Sequence, residues 1–316
     1  MKTIKTSFLI LLVSFSMISC QDKRPNVIIS TDIGGSDPDD YQSMVHLFMY
    51  ADRLNLKGLI SSPPYEGRKE HIDEVIEAYA HDYEKLLMHN DDFPMPEYLY
   101  SITKQGSTEV QLTTEPENLS EGAQLIISQA KELSNEPLYI LAWGSLTDVA
   151  QAVHASPDIK KNIRIYSIGS WNTVQDTSSR NYLYNAHPDL WWIENNTTFR
   201  GMYMGGFKED DYSNVSFPKT HLKDHGALGN LFWQKKEDIK MGDTPSLLYL
   251  LNGDPNNPES ESWGGAFVPT DHGANFWTDN PVDSLYENDK AGAKTVNKFR
   301  KQFLDDWAIR MSWIEN

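Results

Sequence analysis

The stretch Ser30-Thr31-Asp32-Ile33-Gly34-Gly35-Ser36-Asp37-Pro38-Asp39-Asp40 follows an apolar run from Asn26 to Ile29. It packs four carboxylates and two glycines into the nine residues from Asp32 to Asp40. Carboxylates this close repel one another unless they are protonated, paired with a base or bound to a metal. No Lys or Arg lies between Arg24 and Arg53, so a hard divalent cation is the leading explanation. The alternative is a solvated turn in which Asp39 or a neighbour caps the next helix, with Pro38 beside it.

Outward from this loop, strand-like and helix-like periods alternate. Residues 26–31 read as a strand, 39–53 as a helix, 56–61 as a strand and 69–88 as a helix. Further on, 122–133 reads as helix, 137–142 as strand, 146–154 as helix and 163–168 as strand. Residues 188–194 read as a short helix and 199–204 as the next strand, before an irregular region. Residues 91–120 and 252–285 read as long loops, and a last helix is expected over 291–314. The alternation predicts an α/β fold, a mostly parallel sheet with helices on both faces. Ligands of such sheets sit beyond the carboxyl ends of the strands. The Asp-rich loop, Trp143-Gly144-Ser145 and Gly169-Ser170-Trp171-Asn172 all follow predicted strands, so all three should face one crevice.

The amino terminus reads differently. Lys2 and Lys5 precede an apolar core from Phe8 to Ile18, and Ser19-Cys20 follows, the layout of a secretory signal. Met17-Ile18-Ser19-Cys20 looks like a bacterial lipoprotein cleavage box; the alternative is a plain secretory signal with an incidental cysteine. The expected organisation is a signal over 1–19, a tether over 20–25 and one domain over 26–316. A lipid on Cys20 would place the chain in the cell envelope. Cys20 is the only cysteine, so no disulfide remains and stability must come from a core. The full chain carries a net charge of −17, and removal of residues 1–19 leaves 26 basic against 45 acidic residues. So acidic a surface argues against a nucleic-acid partner.

The order Asp32-Ile33-Gly34, Asp39-Asp40 and then Leu141-Ala142-Trp143-Gly144-Ser145-Leu146-Thr147-Asp148-Val149-Ala150 resembles the calcium-dependent nucleoside hydrolases. Those enzymes open with an Asp-x-Gly-x-Asp-Asp loop and carry a Gly-x-Leu-Thr-Asn segment at a strand-to-helix turn. Gly242-Asp243-Thr244-Pro245-Ser246 and Ser262-Trp263-Gly264-Gly265 are similar to a cellulose-binding branch of nucleoside hydrolase-like proteins. The resemblance spans residues 26–270. It implies Ca2+ as cofactor, with Asp32, Asp40 and Asp243 as carboxylate ligands and the Trp143 carbonyl as another. It implies Asp39 as the base toward a water held by the metal. Residues 181–189 depart from the usual Glu-Phe-Asn run of these enzymes, and Asn181 and Asn185 in that segment still offer groups for sugar hydroxyls.

The chain also departs from the pattern. Gly242 stands where these enzymes often have the His that helps the base depart, so the leaving-group acid is unassigned. Ser30 replaces an Asp, and the loop Ser61-Ser62-Pro63-Pro64-Tyr65-Glu66 lacks the nucleoside-binding Asn. These changes point away from a purine or pyrimidine nucleoside. His187, Asp271 and His272 remain as proton-transfer candidates, each with a reading as a cap or solvated turn. Asp37 reads first as a helix cap. Trp171, Trp263 and Trp277 lie in predicted loops, where an indole can stack on a sugar or anchor packing. The expected function is calcium-dependent hydrolysis of a glycosidic bond in a glycoside or oligosaccharide. The alternatives are a non-catalytic carbohydrate-binding lipoprotein, or an envelope protein whose calcium only braces the loop.

Overall fold

The computed structural model of the protein describes residues 24–35, 37–62, 66–110, 119–133 and 136–315. The expected signal, Cys20, most of the tether and Pro63-Pro64-Tyr65 lie outside them. The first half runs β1 (Asn26–Thr31), α1 (Asp39–Met49), β2 (Asn55–Ser61), α2 (Lys69–Leu87), α3 (Pro96–Ile102) and β3 (Thr103–Gln105). It continues through α4 (Glu121–Glu132), β4 (Leu138–Ala142), α5 (Thr147–Ala155), β5 (Ile163–Ile168), α6 (Trp171–Gln175), α7 (Thr177–Ala186) and β6 (Trp191–Asn195). Then come α8 (Ser216–His221), α9 (Gly226–Lys235), α10 (Thr244–Leu251), β7 (Phe267–Pro269), β8 (Phe276–Asp279), α11 (Ala293–Asn297) and α12 (Arg300–Ser312).

The eight strands form one sheet in the order β3-β2-β1-β4-β5-β6-β8-β7. All pairs are parallel except β7 with β8. Alternating side chains divide the interior into two layers, as strand geometry requires. Val27, Ile29, Tyr139, Leu141, Tyr166 and Ile168 point into a core shared with α1, α2, α9, α10 and α12. Ile28, Leu138, Ile140, Ile163 and Ile165 point to the other face, against Ala123, Val149 and Leu183 of α4, α5 and α7. The expected α/β architecture, with helices on both faces, is what the chain adopts. Strand β1 is flanked by β2 on one side and β4 on the other. The chain therefore leaves β1 in one direction and returns on the opposite side, which opens a crevice where β1 and β4 end.

Several elements differ from the expectation. Residues 188–194 hold a strand, not a helix. Glu194 disguises it: this buried carboxylate receives Arg180 Nε at 2.8 Å and Nη2 at 2.6 Å, which allows a charge inside a central strand. Residues 199–204 are not a strand either, because a 3₁₀ turn runs over Thr198–Met202. The Asp279 carboxylate accepts the backbone N–H groups of Asn196, Thr197 and Thr198 at 3.0, 3.1 and 2.8 Å, and so curls the chain. The segments expected as loops also contain α3, β3, β7 and β8. Their strands have only three or four residues and are held by pairing with distant neighbours. The last helix is broken into α11 and α12. Arg300, fully buried, turns inward to donate to the carbonyls of Met202 and Tyr212 and to Asn214 Oδ1.

One buried ion pair ties α12 to the segment after α1. Arg310 Nη1 donates to Asp52 Oδ1 at 2.6 Å and to the Met49 carbonyl at 2.7 Å. Removing one partner leaves the other charged and buried. Arg310→Ala should therefore lower unfolding free energy by about 3–5 kcal/mol, read as a fall in the urea midpoint with an unchanged slope. A loss below about 1 kcal/mol would mean that Asp52 is resolvated on truncation.

Candidate metal centre and pocket

Each acidic residue reaches the crevice by its own local logic. Asp32 is the first residue beyond β1, and the loop turns at once: Gly35 N–H donates to the Asp32 carbonyl at 2.9 Å. Gly34 sits at φ +89, and a Cβ there would fall 2.1 Å from the His71 ring, so this turn requires glycine. Asp39 and Asp40 form the first turn of α1, where unpaired backbone N–H groups favour negative charge. Asp243 is the N-cap residue of α10, a second helix start at the same point. The connecting segment is clamped by Gln42 of α1. Its amide nitrogen donates to the carbonyls of Lys236 and Asp238 at 3.1 and 2.9 Å; its oxygen accepts from Lys240 and Met241 N–H at 2.9 and 3.2 Å.

The result is a cluster. Ligand atoms of Asp39, Asp40 and Asp243 all lie within 4.8 Å of one another. Asp40 and Asp243 are only 5% and 3% exposed, while Asp39 keeps a half-buried position at the pocket wall. Asp32 adjoins this trio through a hydrogen bond with Asp40, whose other tie is the Thr31 hydroxyl. Burial comes first among the causes that push Asp32 and Asp39 up to about 7. Burial, followed by neighbouring carboxylates, raises Asp40 and Asp243 well above the usual range. The nearest cation offers little relief: Lys240 pairs with Asp37 and stands 4.0 Å from Asp39 Oδ2. This also explains Asp37, which makes an ion pair across the loop and no side-chain cap on α1.

A hard divalent cation fits these residues. Asp243 Oδ2 is buried with no hydrogen-bond partner among the described residues. An orphaned anionic oxygen beside two more carboxylates is the donor set such a cation takes. Trp143 lines the same pocket, and its carbonyl accepts Asn172 Nδ2 at 2.8 Å, which leaves its second lone pair. Close approach at this point needs glycine: a Cβ on Gly144 would lie 2.8 Å from the Asp32 nitrogen.

A cavity of ≈ 170 Å³ opens above the cluster. The loops after β1, β4 and β5 all reach it, as expected, through Asp32, Trp143 and Gly169–Asn172. Its far wall carries Phe199, Arg200 and Tyr203, and Lys240 and Gly242 close it. Burial raises Tyr203, which therefore stays a neutral phenol. Sequence reasoning missed Arg200, Tyr203, Lys240 and Gln42. Only Lys240, three residues before Asp243, carried any sequence signal.

Other predicted residues lie elsewhere. Asn181 and Asn185 are exposed on α7 and do not line the cavity. Trp263 is partly buried, packs against the core, donates to Gln302 Oε1 at 3.3 Å and is also outside the cavity. His187 Nε2 meets the Tyr182 hydroxyl at 3.1 Å, and His272 stacks on Tyr184 with ring centroids 3.3 Å apart. Neither histidine lines the cavity, nor does Asp271. Asp148, in the motif after β4, is fully buried. It accepts Ser62 Oγ at 2.7 Å, Ser107 N–H at 2.9 Å and the Ser120 hydroxyl, and so staples three connections to α5.

Residues 26–267 match the family described as "Cellulose-binding Sde182, nucleoside hydrolase-like domain". A solved structure of a nucleoside hydrolase-related hypothetical protein from Saccharophagus degradans, associated with carbohydrate metabolism, is 24% identical. It superposes with a TM-score of 0.75 over 93% of this chain and 72% of that one. The purine-preferring ribonucleoside hydrolase from Gardnerella vaginalis is 13% identical, with a TM-score of 0.53 over 92% of this chain and 98% of that one. The inosine-uridine preferring nucleoside hydrolase from Bacillus anthracis, also 13% identical, gives 0.51 over 90% and 99%. At these identities the likeness is one of fold. No curated protein matches the sequence.

The raised carboxylates set a pH dependence for metal-free protein. Asp32 and Asp39 move from 3.8 to about 7, so the folded state binds more protons than the unfolded one between those values. Their contribution to stability is fully present below about 4 and is lost as pH rises to about 7. In a chelator, the melting temperature should fall across that window. A hard divalent cation should reverse the trend by binding the ionised folded form, with a shift that grows with concentration. A melting temperature indifferent to both pH and divalent cations would contradict the cluster's assignment.

Proposed function

Because the chain belongs to the nucleoside hydrolase-like family whose description includes cellulose binding, we propose that it is a calcium-dependent hydrolase of an N- or O-glycosidic bond. The substrate class is a glycoside or oligosaccharide. The observation that carries this reading is the convergence of Asp39, Asp40 and Asp243 within 4.8 Å, with Asp243 Oδ2 lacking a hydrogen-bond partner among the described residues. Asp40 and Asp243 would hold the cation, with Asp32 and the Trp143 carbonyl at its margin. When bound, calcium supplies positive charge that offsets the carboxylates and polarises the groups beside it. Asp39, at the pocket wall, takes a proton from the attacking water as the water oxygen bonds to the anomeric carbon and the glycosidic bond breaks. The negative charge of the carboxylates favours the oxocarbenium-like state, and the leaving group takes its proton from solvent. Gly242 N–H approaches Asp39 Oδ2 at 3.3 Å and aims it.

A second reading, non-catalytic carbohydrate binding, rests on Gly242. A Cβ at that position would lie 2.8 Å from Asp39 Oδ2, so the site cannot take a side chain there without displacing the base. No histidine lines the pocket among the described residues. Attachment through a lipid on Cys20 is supported by the sequence around it, and no helix among the described residues is long and apolar enough to cross a membrane.

Turnover of nucleosides and aryl glycosides with calcium separates the readings. Asp39→Ala should reduce kcat by at least 10²-fold while the calcium-dependent melting shift persists. Asp243→Asn should abolish both. Retention on polysaccharide with no release of reducing ends, and no turnover across the panel, would favour the binder. Gly242→Ala should cut kcat through displacement of Asp39, with circular dichroism and melting in chelator near wild type.

A further inference from the structure

The rim of the pocket holds a feature that neither the carboxylates nor the fold accounts for. Trp171 is 61% exposed, unusual for the largest apolar side chain, and it lines the cavity mouth. Val174, three residues on along the same short helix, is 64% exposed. Positions i and i+3 share a helix face, so the two form one apolar strip leading out of the pocket.

The chain maintains this strip at a conformational cost. Ser170 adopts φ +57, a left-handed backbone that a serine takes only when its surroundings impose it. Its N–H donates to Asn196 Oδ1 at 3.0 Å, and its hydroxyl accepts Arg200 Nη2 at 3.2 Å. A Cβ on Gly169 would lie 2.2 Å from Asn196 Oδ1. On the other side, Asn172 Nδ2 donates to the Trp143 and Ile168 carbonyls at 2.8 and 3.1 Å. Trp171 is thus held between two anchored neighbours, exposed and aimed at the mouth.

We propose that Trp171 with Val174 forms an open stacking subsite for a neutral pyranose unit, adjacent to the unit held over the carboxylates. This deepens the glycoside reading above and rests on it. A pyranose with equatorial hydroxyls presents axial C–H bonds on its faces, and an indole surface covers them well. The charge of the pocket disfavours an anionic ligand. The subsite is a face, not a slot, so a chain extends from it into solvent. A nucleobase would need its polar edge read, yet both Asn172 amide protons are spent on the Trp143 and Ile168 carbonyls, so that side chain offers a base no donor at this rim.

The test is calorimetric titration, with calcium, of glucose and hydrolysis-resistant thio-linked β-1,4-gluco-oligosaccharides of two to six units, with adenosine alongside. Wild type should gain about tenfold in affinity between the first and second sugar units. Trp171→Ala should lose that gain, Trp171→Phe should recover most of it, and the calcium-dependent melting shift should be unchanged in both. Oligosaccharide binding whose length dependence survives Trp171→Ala overturns the subsite, as does a wild type that binds none of them. An equal loss for adenosine would assign the indole to a base instead. The hydrolase reading falls on a different result, the absence of Asp39-dependent turnover, so the two failures are distinguishable.

Discussion

Carboxylates that must share a buried point form the constraint around which this molecule is organised. Burial raises the proton affinity of Asp32, Asp39, Asp40 and Asp243, and the charge of neighbouring carboxylates raises it further. Two helix starts, those of α1 and α10, bring backbone N–H groups to the same place. The Thr31 hydroxyl and the Gly242 N–H contribute individual hydrogen bonds. These are partial charges against whole ones, and Asp243 Oδ2 stays without a partner among the described residues. The geometry is therefore complete while the charge balance is not, a state that a hard cation resolves.

The packing serves that geometry from a distance. Gln42 uses its whole amide to hold residues 236–241 against α1, which delivers Asp243 to residues some two hundred positions earlier. Trp143 Nε1 donates to Ser246 Oγ at 2.7 Å, and Ser246 in turn donates to the Asp243 carbonyl at 2.7 Å. The end of β4 and the start of α10 are locked together by this relay. Gly144 and Gly242 admit the backbone to within contact distance of Asp32 and Asp39, where any side chain would intrude. Floor and rim are then distinct: anionic and buried below, aromatic and exposed above.

Much of this was legible in the chain. Uninterrupted apolar runs such as Val27–Ile29 and Leu138–Ala142 announce buried parallel strands, and the charged loop after β1 marks the crevice, because both are local patterns. Pairing of Asp39, Asp40 and Asp243 was reached only through resemblance to a family motif. Elements whose stability comes from elsewhere in the chain were misread. Residues 188–194 read as a helix although a strand forms there, with Glu194 tolerated in it through its pair with Arg180, and residues 199–204 read as a strand until Asp279 bends them. Asn181, Asn185 and Trp263, chosen by residue type and motif, lie outside the cavity because helix phase and packing, not composition, direct a side chain.

Sequence periodicity and spacing were sufficient for the fold class, the position of the crevice and the identity of its acidic loop, since each depends on residues a few positions apart. The far wall and rim of the pocket belong to the tertiary structure alone. Arg200, Tyr203, Lys240 and the exposed face of Trp171 meet the carboxylates through an anion-capped turn, an amide clamp and a strained serine. Those interactions join residues far apart in the chain, and no local pattern encodes a contact whose partner is elsewhere.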